Sequence, residues 1–480
     1  MEIYFVFFFP PLKKKKETPP TLHTLPKPHE PTLKPKACKR AAIFLPTATN
    51  IQIPLNMRDY LNKTLIVFFI LSLTLSSCNS RDERIKSKGN QPLVVNSQEI
   101  KIAKAVFYLE NSESMFGYVN GFTEYVDVIS ELSEKPDFAA EKTKREFNFI
   151  NGGTPLSINC LGNDPKIFKS KLNTSGFRCG DITKSNLNGM FQIALDRAQN
   201  DTISILISDA IYDIGQPQSP LNALITEGRE TRSKFISRLE NGNIQCLMIK
   251  LFSSFEGNYF YSSHSGKTYI NQSRPFYIWV FGKSELLNKY FSETYISQHL
   301  KGFVNYARFI PIEENKVPYQ INPAINRKGS FKPDRKNQNK LINAETRHGE
   351  FQFAFAVDYS SIPFSSNYFS NIDNYSLSNQ NFKIVSINEI KKDEKYGITL
   401  FTNPTHLITI QTDKNPCGDL EITLKNEIPS WILESDADNE HIIDSKKTFG
   451  LKYLTNGISE AYQHTNRSKN LAMFKISISN

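Results

Sequence analysis

Between residues 102 and 303, short uninterrupted apolar runs alternate with stretches whose apolar residues recur every three or four positions. The runs Ala103–Leu109, Ile203–Ser208, Gln245–Phe252 and Phe276–Phe281 have the length of strands and are rich in β-branched and aromatic residues. Unbroken runs of this kind mark strands covered on both faces. Between them, Phe122–Leu132 sets Phe122, Tyr125, Val126, Ile129 and Leu132 on one helical face. Leu187–Gln199 does the same with Leu187, Met190, Phe191, Ala194, Leu195 and Ala198. A further helix is predicted near Arg232–Leu239, and Leu286–Phe291 and Thr294–Phe303 close the segment. The alternation predicts an α/β architecture, a parallel sheet with helices on both faces, whose ligand crevice lies beyond the carboxyl ends of its strands.

After Phe303 the pattern changes. Pro318–Arg347 is basic and Asn-rich with little periodicity, which predicts a connector; Arg327, Lys328, Lys332, Arg335 and Lys336 read as its solvated charges. Beyond it, Glu350–Val357, Phe382–Val385, Tyr396–Phe401, Leu407–Gln411 and Leu420–Leu424 are short strand-like runs parted by turn residues, the pattern of a β-rich, sandwich-like domain. Trp431 is expected in that domain's core, and Thr448–Tyr462 as a helix packing Phe449, Tyr453 and Ile458 on a sheet. Two stretches interrupt the α/β pattern. Phe147–Arg178 is polar and turn-rich, and Gly257–Arg274 is dense in Tyr, Ser and Asn; each is expected to decorate the domain as a rim.

The amino terminus reads differently from both. Residues 1–56 hold ten of the 25 prolines and the run Lys13–Lys16, and no periodicity that would bury enough surface to offset chain entropy. From Met57 the chain has a positive start at Arg58 and Lys63, an apolar stretch Thr64–Leu75 too short to span a membrane comfortably, and then Leu75-Ser76-Ser77-Cys78. Those four residues resemble a bacterial lipobox. The resemblance implies a start at Met57, lipidation (palmitate) of Cys78, and export to the cell envelope with an anchor in a membrane, the outer membrane, on its periplasmic or outer face. The mixed charges of Arg81–Lys88 loosely resemble the export signal of Bacteroidota lipoproteins.

Charge then carries little information. Residues 1–56 have nine Lys or Arg against three Glu and residues 57–78 add one net positive charge, so +3 of the formal +10 remains on residues 79–480. Net charge gives no support to a nucleic-acid partner. Of the cysteines, Cys160 and Cys179 flank a polar loop and could form a disulfide in an oxidising compartment, while Cys246 lies in an apolar run and reads as a buried hydrophobe.

The candidate chemistry follows the first strand. Glu110, Ser112 and Ser114 alternate in one loop, so their oxygens can face one way and offer hard ligands to Mg²⁺ or Mn²⁺. Asp209 follows the second strand, and Ser185, with Thr183 as an alternative, precedes the Leu187 helix. This order resembles the metal-ion-dependent adhesion site of von Willebrand factor A (vWA) domains, with Glu110 where the family has Asp. The resemblance implies a vWA-like, Rossmann-type domain over 102–305. Its metal would be held by Glu110, Ser112, Ser114, Ser185 and Asp209, with an open position for an acidic residue of a protein partner. The expected organisation is 1–56 disordered upstream translation, 57–78 signal peptide and lipobox, 79–101 tether, 102–305 vWA-like domain, 306–347 linker and 348–480 β-rich domain. The expected activity is binding or assembly rather than catalysis. Two alternatives stay open: a metal-free structural envelope lipoprotein, and a metal-dependent hydrolase using Glu110, Glu113, Asp209 and Asp213. Asp436, Asp438 and Glu440 start like a calcium loop, but His441 and Lys447 stand where Gly and Glu are needed, so a solvated acidic turn is expected.

Overall fold

The computed structural model describes residues 100–312, 317–391, 403–466 and 468–480. The 1–56 segment, the expected signal peptide with Cys78, nearly all of the expected 79–101 tether and the strand expected at Tyr396–Phe401 lie outside the described residues. Among the described residues, no helix is long and apolar enough to cross a membrane.

β1 (Lys104–Glu110) is almost wholly buried, and its side chains alternate between two cores. Phe107 and Leu109 enter a cluster covered by α1 (Glu124–Ser133), whereas Val106 and Tyr108 enter one covered by α2 (Leu187–Arg197) and α3 (Pro220–Glu240). The sheet is completed by β2 (Lys144–Asn151), β3 (Ser157–Gly162), β4 (Thr202–Ser208), β5 (Gln245–Phe260), β6 (Lys267–Gly282) and β7 (Phe303–Phe309). Their spatial order is β3-β2-β1-β4-β6-β5-β7. β1 is parallel to both β2 and β4, and α1 and α2 lead to those neighbours over opposite faces. The connections therefore part at the end of β1, the switch point at which an open α/β sheet forms its crevice.

The sheet is mixed rather than parallel. β5 and β6 form one long hairpin with continuous pairing from Gln245↔Gly282 to Phe260↔Lys267, and this antiparallel return puts β6 between β4 and β5. The stretch Gly257–Arg274 is thus the outer half of that hairpin. Phe147–Arg178, likewise, contains most of β2, all of β3 and the short helix Pro165–Ser170. Phe122 lies outside α1, which starts after the Thr123 cap, and is fully exposed.

The C-terminal half builds a two-sheet sandwich. One sheet has the order β12 (Tyr375–Leu377), β15 (Gly418–Lys425), β16 (Asn470–Ile478), β10 (Lys340–Glu345) and β9 (Ser330–Pro333). The other runs β13 (Lys383–Glu389), β14 (His406–Thr412), β11 (Phe351–Val357) and β8 (Tyr319–Asn322). Phe353, Phe355, Ile408 and Ile410 of one sheet meet Ile422, Leu424, Phe474 and Ile476 of the other in a common core. Residues 306–347, read as a linker, hold β8, β9 and β10. The expectation missed them because each has only four to six residues, separated by polar turns. Arg327 and Lys328 are engaged too, by the Phe331 carbonyl and by Glu350.

Residues 430–465 leave the sandwich and return to the first sheet. Trp431 packs in the cluster of α2 and α3 rather than in the sandwich core expected for it, and the expected helix, α4 (Leu451–Thr465), packs Tyr453 and Ile458 in the same cluster. All described residues belong to one compact unit, 95–480. α4 lies against α3 at a glycine crossing: a Cβ on Gly457 would come within 2.3 Å of the Gly228 carbonyl oxygen. Gly457→Ala is expected to force the helices apart and lower stability by about 1–3 kcal/mol, measurable as a lower urea midpoint at unchanged slope.

Candidate metal centre

The loop after β1 begins where backbone pairing ends. Ser112 stands at the N-terminus of the 3₁₀ turn Glu113–Val119 but makes no capping bond to it. Its hydroxyl instead donates to Glu110 Oε1 at 2.7 Å, and its oxygen lies 2.9 Å from Ser114 Oγ. Ser185 donates to the same Glu110 oxygen at 2.6 Å. Asn186, not Ser185, caps α2, by accepting from the Gly189 N–H at 2.8 Å, which leaves the Ser185 hydroxyl available. Thr183 also lines the cavity, but its hydroxyl donates to Asp181 Oδ1. Ser185 is held over the end of β1 by a short parallel bridge to Gly152, flanked by the bonds Gly152 N to Lys184 O and Asn186 N to Gly152 O, both at 3.0 Å. Asn111 and Asn151 pin the approach by donating to the Phe177 and Cys179 carbonyls.

Asp209 ends β4 on the other side of the switch point. Its Oδ1 accepts from Ile211 N at 3.1 Å, and the chain turns at Ala210, which adopts a left-handed φ of 59°. A non-glycine residue there costs on the order of 1–2 kcal/mol, the kind of strain that concentrates at functional loops. The structure therefore brings Glu110, Ser112, Ser114, Ser185 and Asp209 to the wall of one cavity of about 440 Å³.

Glu110 is 1% exposed and Asp209 5%. Burial pushes the Glu110 carboxyl up, against the pull of the Ser185, Ser208 and Ser112 hydroxyls. Burial, then the neighbouring Glu110 charge, pushes Asp209 up from 3.8 to about 7. Arg274, 3% exposed and 4.4 Å above the Tyr259 ring, supplies partial compensation to Asp209. Glu110 Oε2 is buried with no hydrogen-bond partner. Two adjacent carboxyls, three hydroxyls and an orphaned carboxylate oxygen fit a hard divalent cation. Among the described residues no group of three or more His, Cys, Asp or Glu is arranged to hold a metal, so such a centre depends on its serines.

Several parts of the cavity were not legible as one site. Asp213 accepts from Ser185 N at 3.4 Å and from His264 Nε2 at 2.5 Å, which ties the 261–266 hairpin tip to the loop after β4. Ser262 adds bonds to the Tyr212 carbonyl and from Ile214 N. Lys184 and Lys267 line the mouth and are exposed. Glu440, 5% exposed, accepts from Ser263 N at 3.0 Å and from its hydroxyl, and His441 packs edge-on to Tyr261 at 4.6 Å. Asp436 and Asp438 pair with Lys452; Asp438 is exposed, as a solvated acidic turn predicts, whereas Asp436 and Glu440 are buried. Cys160 and Cys179 are both free. The two-residue alternation of β3 explains this: Asn159 faces the Gly180 backbone while Cys160 points to solvent. Cys246 is buried, as its apolar run predicts.

Compared with protein-family models and with curated proteins, the chain matches none.

The carboxyl shifts fix a sign. A carboxyl whose pKa is raised on folding binds its proton more tightly in the native state, so its stabilising contribution is complete below about pH 4 and is lost as pH rises through about 7. In chelator, stability is expected to fall between these limits by on the order of 2–4 kcal/mol, and Asp209→Asn to flatten the fall; urea unfolding across pH 4–8 measures both.

Proposed function

We propose that this chain is an exported, lipid-anchored binding or assembly module with a vWA-like α/β domain. In this reading a divalent cation, Mg²⁺ or Mn²⁺, is held by Glu110, Ser112, Ser114, Ser185 and Asp209 and presents an open position to an acidic residue of a partner protein. The observation that carries the proposal is the orphaned Oε2 of Glu110 beside a second buried carboxyl. An interior that gathers two acids without enough donors favours a cation in the space between them. Further support comes from the hydroxyls, which bond the carboxylate instead of capping helices, and from Lys184 and Lys267 at the mouth, which would steer an acidic group inward. The Glu110 side chain, one methylene longer than Asp, sets its oxygens farther into the cavity from the strand end. Anchoring rests on the Leu75–Cys78 sequence.

Calorimetric titration of Mg²⁺ and Mn²⁺ into the purified protein tests the site. Saturable binding is expected, weakened at least about tenfold by Ser112→Ala and abolished by Asp209→Ala, because each removes a hard oxygen ligand. No binding to a folded parent protein would sink the proposal.

The His264–Asp213 pair favours one second reading, a metal-dependent hydrolase in which Asp213 orients His264 as a proton acceptor beside the cation. Turnover of phosphate or carboxylic ester substrates that disappears in His264→Ala, with cation affinity intact, is the outcome that would select it.

A further inference from the structure

A second cavity, of about 340 Å³, opens where β7, the 364–374 segment and the 429–431 turn meet. Three half-buried rings line it, each gripped by a different core. Phe303 packs against the cluster under α1, Trp431 against the cluster under α4, and Phe364 against the sandwich core. Rings anchored from behind in this way form a fixed apolar platform.

Beside the rings stand Asn305, Asn367 and Asn371. Asn305 Oδ1 accepts from Tyr306 N at 3.0 Å and Asn371 Oδ1 from Asp373 N at 3.1 Å. Among the described residues their Nδ2 groups, and the whole Asn367 amide, have no protein partner, so donors and an acceptor remain for a ligand. The two charged residues of the lining have neutral partners, and Arg308 Nε has none. Glu293 accepts from Tyr306 Oη at 3.2 Å, and Arg308 donates to Asn288 Oδ1 at 3.2 Å and to the Phe291 carbonyl. The cleft thus offers amide hydrogen-bonding groups beside apolar faces, with one charge of each sign, in a cavity at the small end of the roughly 300–1,000 Å³ typical of ligand pockets.

We infer that this cleft binds a neutral oligosaccharide. A pyranose ring has an apolar C–H face and a rim of hydroxyls that both donate and accept; the first matches Phe303, Phe364 and Trp431, and the second matches the three amides. The lining's two charged residues, Glu293 and Arg308, are of opposite sign, so the cleft carries no net charge to select an anionic or a cationic ligand. The site is separate from the carboxylate cavity and shares no lining residue with it.

The chain has two tryptophans, and Trp279 is fully buried in the first sheet, so a ligand-dependent change in tryptophan emission reports Trp431. Maltohexaose, cellohexaose and chitohexaose are titrated into the full protein. At least one is expected to give a saturable change with a Kd of roughly 10 μM to 1 mM, weakened about tenfold in Asn367→Ala and in Asn371→Ala and unchanged in Asp209→Ala. Asn367 is exposed and has no protein partner, so its replacement leaves the fold intact even where Trp431→Ala does not. A saturable response to none of the three sugars, or one unaltered by both asparagine variants, overturns the inference.

Discussion

A carboxyl group at the end of a strand buried on both faces can persist in three ways: it keeps its proton, gathers donors, or shares its space with a cation. Much of the local structure around β1 answers that requirement for Glu110. Ser112 forgoes its helix cap to donate to it, and Ser185 reaches it only because Gly152 pins the backbone at 184–186 beyond the end of β2. Asn111 and Asn151 hold the preceding carbonyls in register. The Ser112 and Ser185 bonds converge on one carboxylate oxygen, and the other has no hydrogen-bond partner.

The sequence was most informative where one element alone decides the outcome. β1 and β4 are covered on both faces and read as unbroken apolar runs, and α2 shows its buried stripe at the helical period. The Glu110–Ser114 loop was legible for the same reason, since its side chains lie within five residues. β2 was hidden by Asn148 and Asn151, polar residues that are buried because they bond carbonyls across the sheet and the 179 loop. Strand direction was hidden as well: an apolar run looks alike in either sense, so nothing in Phe276–Phe281 revealed that it returns antiparallel to β4.

Other parts of the candidate site depend on distant segments meeting. Asp213 and His264 are brought together by a hairpin tip, and the Ser263–Glu440 contact spans 177 residues. Arg274 reads as one more charge on a polar stretch, yet it is a buried cation near Asp209. Such groups gain their meaning from the path of the chain, which local periodicity does not encode. The C-terminal half, whose role its residues did not announce, thereby braces the hairpin tip that lines the cavity as well as forming a sandwich of its own.

The return of α4 to the first sheet carries a consequence for biogenesis. Leu451, Leu454, Ile458 and Tyr462 fill a core whose other walls come from β1, β4, α2 and α3, all made hundreds of residues earlier. A chain emerging from the ribosome has to hold that apolar surface open until Leu451–Thr465 arrives. Completion of the α/β half thereby waits on a segment made about two hundred residues after α3, and a chain cut short before α4 would present an uncovered apolar seam.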